Sequence, residues 1–219
     1  LISIWGTGRK EYSAMKFLIF TILGSAFMLI GILVIFAGTG TFDMTKISEA
    51  LPSSNLIMPV GILFLFMSIG FAVKLPVFPL HTWLPDAHTD APTAASVMLA
   101  GVLLKMGGYG LLRVSAGMFP DQLEKYAWVL ALLGVINIIY GAAITIRQTD
   151  LKRLIAYSSV SHMGFVLLGL SAMGGGITSL AMTGAALQMF THGTITGLLF
   201  LTIGFIYEEP CPTFHPSTI

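Results

Sequence analysis

The chain has 219 residues, of which 55% are hydrophobic and only 10% are charged. Soluble domains carry about 25% charged residues, so this composition excludes a water-soluble globule, and its apolar content excludes a disordered chain. The net charge of +1, without a basic stripe, argues against a nucleic-acid partner, and the single cysteine, Cys211, excludes a disulfide framework or a multi-cysteine metal site. The chain starts with Leu1 and leads at once into apolar sequence, so we expect an internal piece of a longer polypeptide.

Six apolar runs are long enough to cross a bilayer, which takes about 20 residues of helix. They are continuously apolar rather than alternating, which favours helices over barrel strands. The sequence therefore predicts an all-α, polytopic transmembrane bundle over residues 1–208, followed by an unmatched tail at 209–219. The spans are predicted at residues 14–37, 56–74, 92–118, 126–147, 154–173 and 177–206.

The connection after the second span reads LPVFPLHTWLPDAHTDA. Pro76 and Pro79 follow Lys74 closely, and a proline removes a backbone donor and clashes with the preceding turn. The second span is therefore predicted to break there and to continue as a second half-helix to residue 88. Broken membrane helices often mark ion sites, which predicts Lys74 near mid-membrane. The residues leave an alternative, a lysine that ends the span and reaches the headgroups.

Lys105 lies near the centre of the third span, within AGVLLKMGGYGLLR. A lysine there costs roughly 2.5–3.5 kcal/mol on insertion scales. Tyr109 and Arg113 follow at helical spacing, so one face of the span is polar. We interpret Lys105 as a transport residue; the alternative is a structural lysine paired with a carboxylate of another helix.

Two histidines lie within the last two spans. His162 follows Ser158 and Ser159 by about one turn, and His192 lies between Gln188 and Thr196 on one stripe. Histidine titrates near neutrality and can relay protons. The alternative is a neutral histidine satisfied by a serine or threonine hydroxyl. Their spacing does not suit a metal pair.

Other polar residues are interpreted as structural. Asp86, His88 and Asp90 are predicted to lie at the surface, where Asp90 or Thr89 caps the third span. Asn137 and Tyr140, three residues apart on the fourth span, are both predicted to form hydrogen bonds across helices.

The basic residues predict the orientation, because short cytoplasmic loops are rich in Lys and Arg. Alternating spans place six on the side of the chain's first residues and three on the other. The six are Arg9, Lys10, Lys16, Arg147, Lys152 and Arg153, and the three are Lys46, Arg113 and Lys125. The first residues and the loop between the fourth and fifth spans are therefore expected in the cytoplasm or its organellar equivalent.

Five segments together resemble one family. They are WGTGRKEYSAMKF at 5–17, HTWLPDAH at 81–88, AGVLLKMGGYGLLR at 100–113, DLKRLIAYSSVSHMGF at 150–165 and QMFTHG at 188–193. The sequence resembles the antiporter-like subunits of proton-translocating NADH–quinone oxidoreductase, respiratory complex I. Among these it is most similar to the subunit M type, also called subunit 4, and to its counterpart in the photosynthetic NDH complexes.

The resemblance implies a fold of about 14 helices with two inverted repeats, and proton translocation through Lys74, Lys105, His162 and His192. It implies no cofactor in this chain, with FMN, iron–sulfur clusters and quinone held by other subunits. The implied partners are the antiporter-like and quinone-module membrane subunits and the lipid bilayer. The implied location is a bacterial plasma membrane or a cyanobacterial or chloroplast thylakoid membrane.

Three alternatives stay open. The large subunits of multi-subunit cation/proton antiporters share the same lysines, and membrane-bound hydrogenases contain related subunits. A purely structural membrane scaffold is the third. The residues also leave open whether NADH or ferredoxin is the electron donor.

Overall fold

A computed structural model describes residues 1–51, 56–174 and 178–208, which form helices and short connections without strands. The predicted tail at 209–219 lies outside these residues, as do residues 52–55 and the first residue of the sixth predicted span. Within the described ranges there are ten α-helices: α1 Ile2–Trp5, α2 Lys10–Thr39, α3 Met44–Ala50, α4 Val60–Lys74, α5 Trp83–Asp90, α6 Thr93–Met98, α7 Leu104–Gly110, α8 Pro120–Ile146, α9 Leu151–Gly174 and α10 Thr178–Glu208.

Five of the described helical stretches are long and apolar enough to cross a membrane. They are Lys10–Thr39, Thr93–Ala116, Pro120–Ile146, Leu151–Met173 and Ser179–Tyr207. The helix α4 is apolar but shorter, and it ends at the predicted interruption. The predicted fold class, an all-α membrane bundle with one broken helix, is confirmed.

The buried face of helix α2 consists mostly of small residues, and its outer face is apolar. Its buried residues are Ser13, Gly24, Gly31 and Ile35, whereas large apolar side chains such as Leu18, Ile22 and Leu33 are about half exposed. A helix in water has the opposite pattern, while membrane helices bring small residues together and turn apolar side chains to lipid. The chain is therefore an integral membrane protein.

The break between α4 and α5 follows from the prolines. α4 ends at Lys74, immediately before Leu75 and Pro76, and α5 begins at Trp83. The indole nitrogen of Trp83 donates to the carbonyl of Val73 at 2.9 Å, so the second half-helix satisfies a carbonyl at the end of the first. The predicted interruption is confirmed, and the depth of Lys74 in the bilayer stays a prediction.

The third predicted span is one continuous helix whose turns are not uniform. Two π-helical segments, Leu99–Leu103 and Leu111–Ala116, flank α7. Wider π turns occur frequently at functional sites, because they shift the direction of the carbonyls and side chains around them. The first of these segments ends two residues before Lys105.

A carboxylate in the first turn of α5 joins three helices. Asp86 accepts from the ammonium of Lys16, on α2, at 2.7 Å and from the guanidinium of Arg153, on α9, at 3.4 Å. One turn further along α5, Asp90 accepts a hydrogen bond from the hydroxyl of Ser13. These contacts hold α2, α5 and α9 together at one end of the bundle.

The prediction that Asp90 or Thr89 caps the third span is wrong. α6 follows Pro92 without a side-chain cap, and the hydroxyl of Thr89 donates to the carbonyl of Pro85, within its own helix. His88 is completely buried rather than at the surface. The acidic residues therefore bind groups of neighbouring helices instead of the first turn of α6.

The orientation predicted from the basic residues can be tested at the turn between α8 and α9. We expect a cysteine at Gln148, in the α8–α9 turn, to be labelled by an impermeant thiol reagent from the cytoplasmic side of the full-length parent, with Cys211 replaced by serine. A cysteine at the exposed Asp121, in the first turn of α8, provides the control and should be labelled only from the opposite side. Labelling with the two sides exchanged would overturn the orientation.

Candidate functional site

A lysine and a histidine from two different helices meet inside the bundle. Lys105 is the second residue of α7, and its Nζ lies 2.7 Å from Nδ1 of His192 on α10. The same ammonium donates to the carbonyl of Ala100, in the π-helical segment before it. An ammonium only donates, so Nδ1 accepts and a neutral His192 ring carries its hydrogen on Nε2. The structure thus brings two of the four predicted site residues into direct contact.

Gly193 makes this contact possible. A Cβ at this position would lie 3.2 Å from Cε of Lys105 and 3.2 Å from the carbonyl oxygen of Gly101. Because glycine lacks that atom, the α10 backbone lies directly against the lysine stem. His192, the preceding residue, is thereby held within reach of the ammonium.

A third residue, His162 of α9, extends the site. Its ring centre lies 5.4 Å from that of His192, and its Nδ1 accepts from the amide of Gln188 at 3.3 Å. His162 is exposed on the bundle surface, whereas His192 is 4% exposed. Lys105, which is half-buried, is therefore connected through the buried His192 to the exposed His162, in one line across α7, α10 and α9.

The hydroxyls that the sequence offered as histidine partners serve their own helices instead. Ser158 and Ser159 both donate to the carbonyl of Ile155, and Thr196 donates to the carbonyl of His192 at 2.6 Å. The histidine rings are thus left to contact Lys105 and Gln188, and the interpretation of hydroxyl-satisfied histidines is wrong.

Lys74 lies beside this line without joining it through its side chain. It is half-buried, and among the described residues no carboxylate lies within 4 Å of its ammonium. Its backbone packs on α7 at Gly107, two residues after Lys105, where a Cβ would lie 2.7 Å from the nitrogen of Leu75 and 3.0 Å from the carbonyl carbon of Lys74. The two lysine-bearing helices therefore touch through their backbones.

The sequence interpretation placed His88 at the surface and missed His81, although both histidines are buried beside the helix break. His88 is 0% exposed and stacks on Phe200 with ring centres 4.7 Å apart. His81 is 2% exposed and meets the ring of Tyr140 at 5.0 Å. Both nitrogens of His88 and Nδ1 of His81 lack hydrogen-bond partners within the described part of the chain. The signal available in the sequence was the presence of two histidines, His81 and His88, in a largely apolar segment beside the predicted break.

Lys105 is accessible from outside through a groove of about 790 Å³ between the Thr93–Ala116 span and α10. Among the described residues that line it, Lys105 is the one charged side chain. Tyr109 lies along the same groove and is exposed. Two members of the predicted polar face of this span, Lys105 and Tyr109, therefore border the groove.

Apolar helices around a half-buried lysine and a buried histidine, with one helix broken, are features found in the class of ion-translocating membrane proteins. The chain belongs to the NADH:quinone oxidoreductase/Mrp antiporter transmembrane family, whose sequence model matches residues 1–215.

Similar proteins agree with this assignment. The chain is 48% identical over 211 residues to the NAD(P)H-quinone oxidoreductase chain 4 1 of Trichodesmium erythraeum, with 95% of this chain and 39% of that relative covered. Among solved structures, it matches respiratory complex I from Thermus thermophilus with bound NADH, with a TM-score of 0.82 at 30% identity, covering 95% of this chain and 44% of the other. It also matches the archaeal membrane-bound sulfane sulfur reductase complex, with a TM-score of 0.83 at 26% identity over 94% and 42% of the two chains.

The predicted resemblance to an antiporter-like subunit of the subunit 4 type is confirmed. The chain spans about 39% of the length of the curated relatives that it matches. The roles of Lys74, Lys105, His162 and His192 stay predictions, because none of these comparisons assigns a residue.

Proposed function

We propose that the chain is a proton-translocating part of a membrane subunit of an NADH- or ferredoxin-dependent quinone oxidoreductase. The observation that carries the proposal is the direct contact between Lys105 and His192 inside a bundle of apolar helices. An ionisable group within a membrane helix is costly, so its presence there points to ion transport. Relatives named NAD(P)H-quinone oxidoreductase chain 4 support the choice of complex.

The proposed path uses the two nitrogens of His192. Lys105 passes a proton to Nδ1, the nitrogen that faces it, and the ring releases a proton from Nε2. His162, at 5.4 Å between ring centres, is the next acceptor toward the bundle surface. Imidazole suits this step because either nitrogen binds or releases a proton near neutral pH.

Lys74 is proposed as the group before Lys105. The support is the backbone contact at Gly107, which holds the end of α4 against α7. Water in the region of the helix break would carry the proton between the two lysines, since helix breaks within membranes are tolerated beside water-filled cavities.

Electron transfer is proposed to take place in other subunits, which would hold FMN, the iron–sulfur clusters and quinone. Iron–sulfur clusters are held by several cysteine thiolates, and this sequence contains one cysteine. The other antiporter-like and quinone-module membrane subunits are proposed as partners.

The experiment uses the complex that contains the full-length parent, reconstituted in sealed vesicles and energised with an electron donor and quinone. We expect proton uptake, followed with a pH-sensitive dye, in proportion to the quinone reduced. Normal quinone reduction without proton uptake would overturn the proposal.

The family also contains subunits of Mrp antiporters, and the subunits that copurify with the parent separate the two. Quinone-module and iron–sulfur subunits support the oxidoreductase. Proton movement that needs a sodium gradient and no electron donor, in a complex without redox subunits, would instead identify a cation/proton antiporter.

A further inference from the structure

We propose that Asn137 of α8 is a positioning residue for proton translocation, because its carboxamide fixes the backbone at the helix break that carries Lys74 and His81. The inference rests on the proposed function and adds a residue from a different helix to it.

The contacts of Asn137 lie at the break itself. Its Oδ1 accepts from the backbone amide of Phe78 at 2.8 Å, and its Nδ2 donates to the carbonyl of Pro76 at 3.2 Å. Asn137 is 0% exposed. Both backbone groups lie in the irregular segment between α4 and α5, so a residue of α8 satisfies polar groups on either side of Val77.

The prolines create the need for these two bonds. Pro76 and Pro79 have no amide hydrogen, so the helical hydrogen-bond ladder cannot continue through them. Polar backbone groups that lack partners in a membrane are costly. The carboxamide of asparagine is compact and supplies one acceptor and two donors. The orientation of the carboxamide follows from its partners, since an amide N–H needs an acceptor and a carbonyl needs a donor.

The two backbone groups that Asn137 binds are linked to the residues that would move protons. Pro76 lies two residues after Lys74 in the chain. The ring of Phe78 stacks on that of His81 with centres 5.7 Å apart. Tyr140, one turn after Asn137 on α8, meets the ring of Phe78 at 5.2 Å. Displacement of Phe78 would therefore displace His81, and displacement of Pro76 would move the end of α4 that bears Lys74.

The hydrogen bonds of Asn137 differ from the hydrogen bond that Trp83 makes at the break. The bond from Trp83 to Val73 joins the two halves of the same broken helix, whereas Asn137 joins that helix to α8. Asn137 therefore fixes the irregular segment of the break to α8.

The test uses the complex assembled with the full-length parent and two variants. Asn137→Leu removes both bonds at similar size, and Asn137→Asp keeps an acceptor for Phe78 while it loses the donor to Pro76. Ser161→Ala is the matched control, because Ser161 of α9 also donates to a backbone carbonyl across helices, but to that of Ile138 on α8, at 3.1 Å, and not to the segment of the break. The measurements are hydrogen–deuterium exchange of the peptide containing Phe78, and protons taken up per quinone reduced as a function of pH.

In Asn137→Leu we expect the amide of Phe78 to exchange about tenfold faster, the effect of losing one hydrogen bond. We expect its proton-to-quinone ratio to fall and its pH profile to shift. Asn137→Asp should keep the Phe78 amide protected, and its proton-to-quinone ratio should lie between those of Asn137→Leu and the parent. Ser161→Ala should match the parent in both measurements.

If the parent complex takes up protons, either of two results would overturn this inference and leave the proposed function standing. The first is parental exchange at Phe78 in Asn137→Leu. The second is a lower yield of both Asn137 variants in which the assembled complex keeps the parental ratio and pH profile, since this is the signature of a purely structural residue. A parent complex that reduces quinone without proton uptake overturns the proposed function instead.

Discussion

Replacing Lys105 by alanine in the full-length parent, assembled in its complex, is expected to lower proton uptake about a hundredfold, within the range that a positioned acid–base group contributes. The variant removes the group that faces Nδ1 of His192 and leaves an apolar floor in the groove. Quinone reduction coupled to pumping should slow with it, while the isolated redox module stays active. The measurement is proton uptake by vesicles, scaled to the amount of assembled complex.

Lys105→Arg is expected to be impaired as well, because a guanidinium stays protonated throughout the working pH range. Lys105→Ala should still insert, since it removes a cost of roughly 2.5–3.5 kcal/mol. Lys125→Ala is the control, because Lys125 is an exposed lysine at the start of α8. Parental pumping by Lys105→Ala would reduce this lysine to a structural residue and remove the main support for the proposed path.

Gly107→Ala is expected to destabilise the assembled protein by about 1–3 kcal/mol, the usual cost of overpacking. The added Cβ would lie 2.7 Å from the nitrogen of Leu75 and 2.9 Å from the carbonyl oxygen of Phe71. These are backbone atoms at the end of α4, so no side-chain rotation relieves the overlap. The measurement is the temperature at which the purified complex loses half of its activity in detergent.

Gly117→Ala is the matched control for this substitution. It lies at the end of the same span, and a Cβ there meets nothing within 4 Å. The control should keep the parental midpoint temperature or slightly exceed it, because alanine loses less backbone entropy than glycine on folding. Equal midpoints for Gly107→Ala and the parent would show that α4 and α7 do not pack as closely as the structure has them.

Local signals in the sequence predicted the elements of the fold. The prolines after Lys74 predicted the break, because each lacks the amide that the helix needs. Long apolar runs predicted the spans, since lipid leaves the backbone no other partner. The hydrogen bonds predicted across helices are confirmed for Asn137. For Tyr140 the structure shows ring contacts with Phe78 and His81 instead.

The partners of the site residues could not be predicted in the same way. Lys105 and His192 are 87 positions apart, and their contact depends on how α7 and α10 rotate about their axes, which an apolar run does not specify. His88 was misassigned to the surface because two acidic residues flank it. Asp86 is in fact neutralised by Lys16 and Arg153 from two other helices, and no local pattern reveals such distant partners.

The carboxylate of Asp86 has a mechanical consequence. Since it holds both Lys16 of α2 and Arg153 of α9, a sideways push on the start of α2 is passed to α5 and α9 together. At the opposite end, the described residues contain an ion pair between Lys46 and Asp43, with 3.9 Å between the charged atoms. This pair is exposed, and it joins α3 only to its own N-cap residue. Charge thus ties three helices together at one end of the bundle, and loss of the single Asp86 carboxylate would remove both of these ion pairs at once.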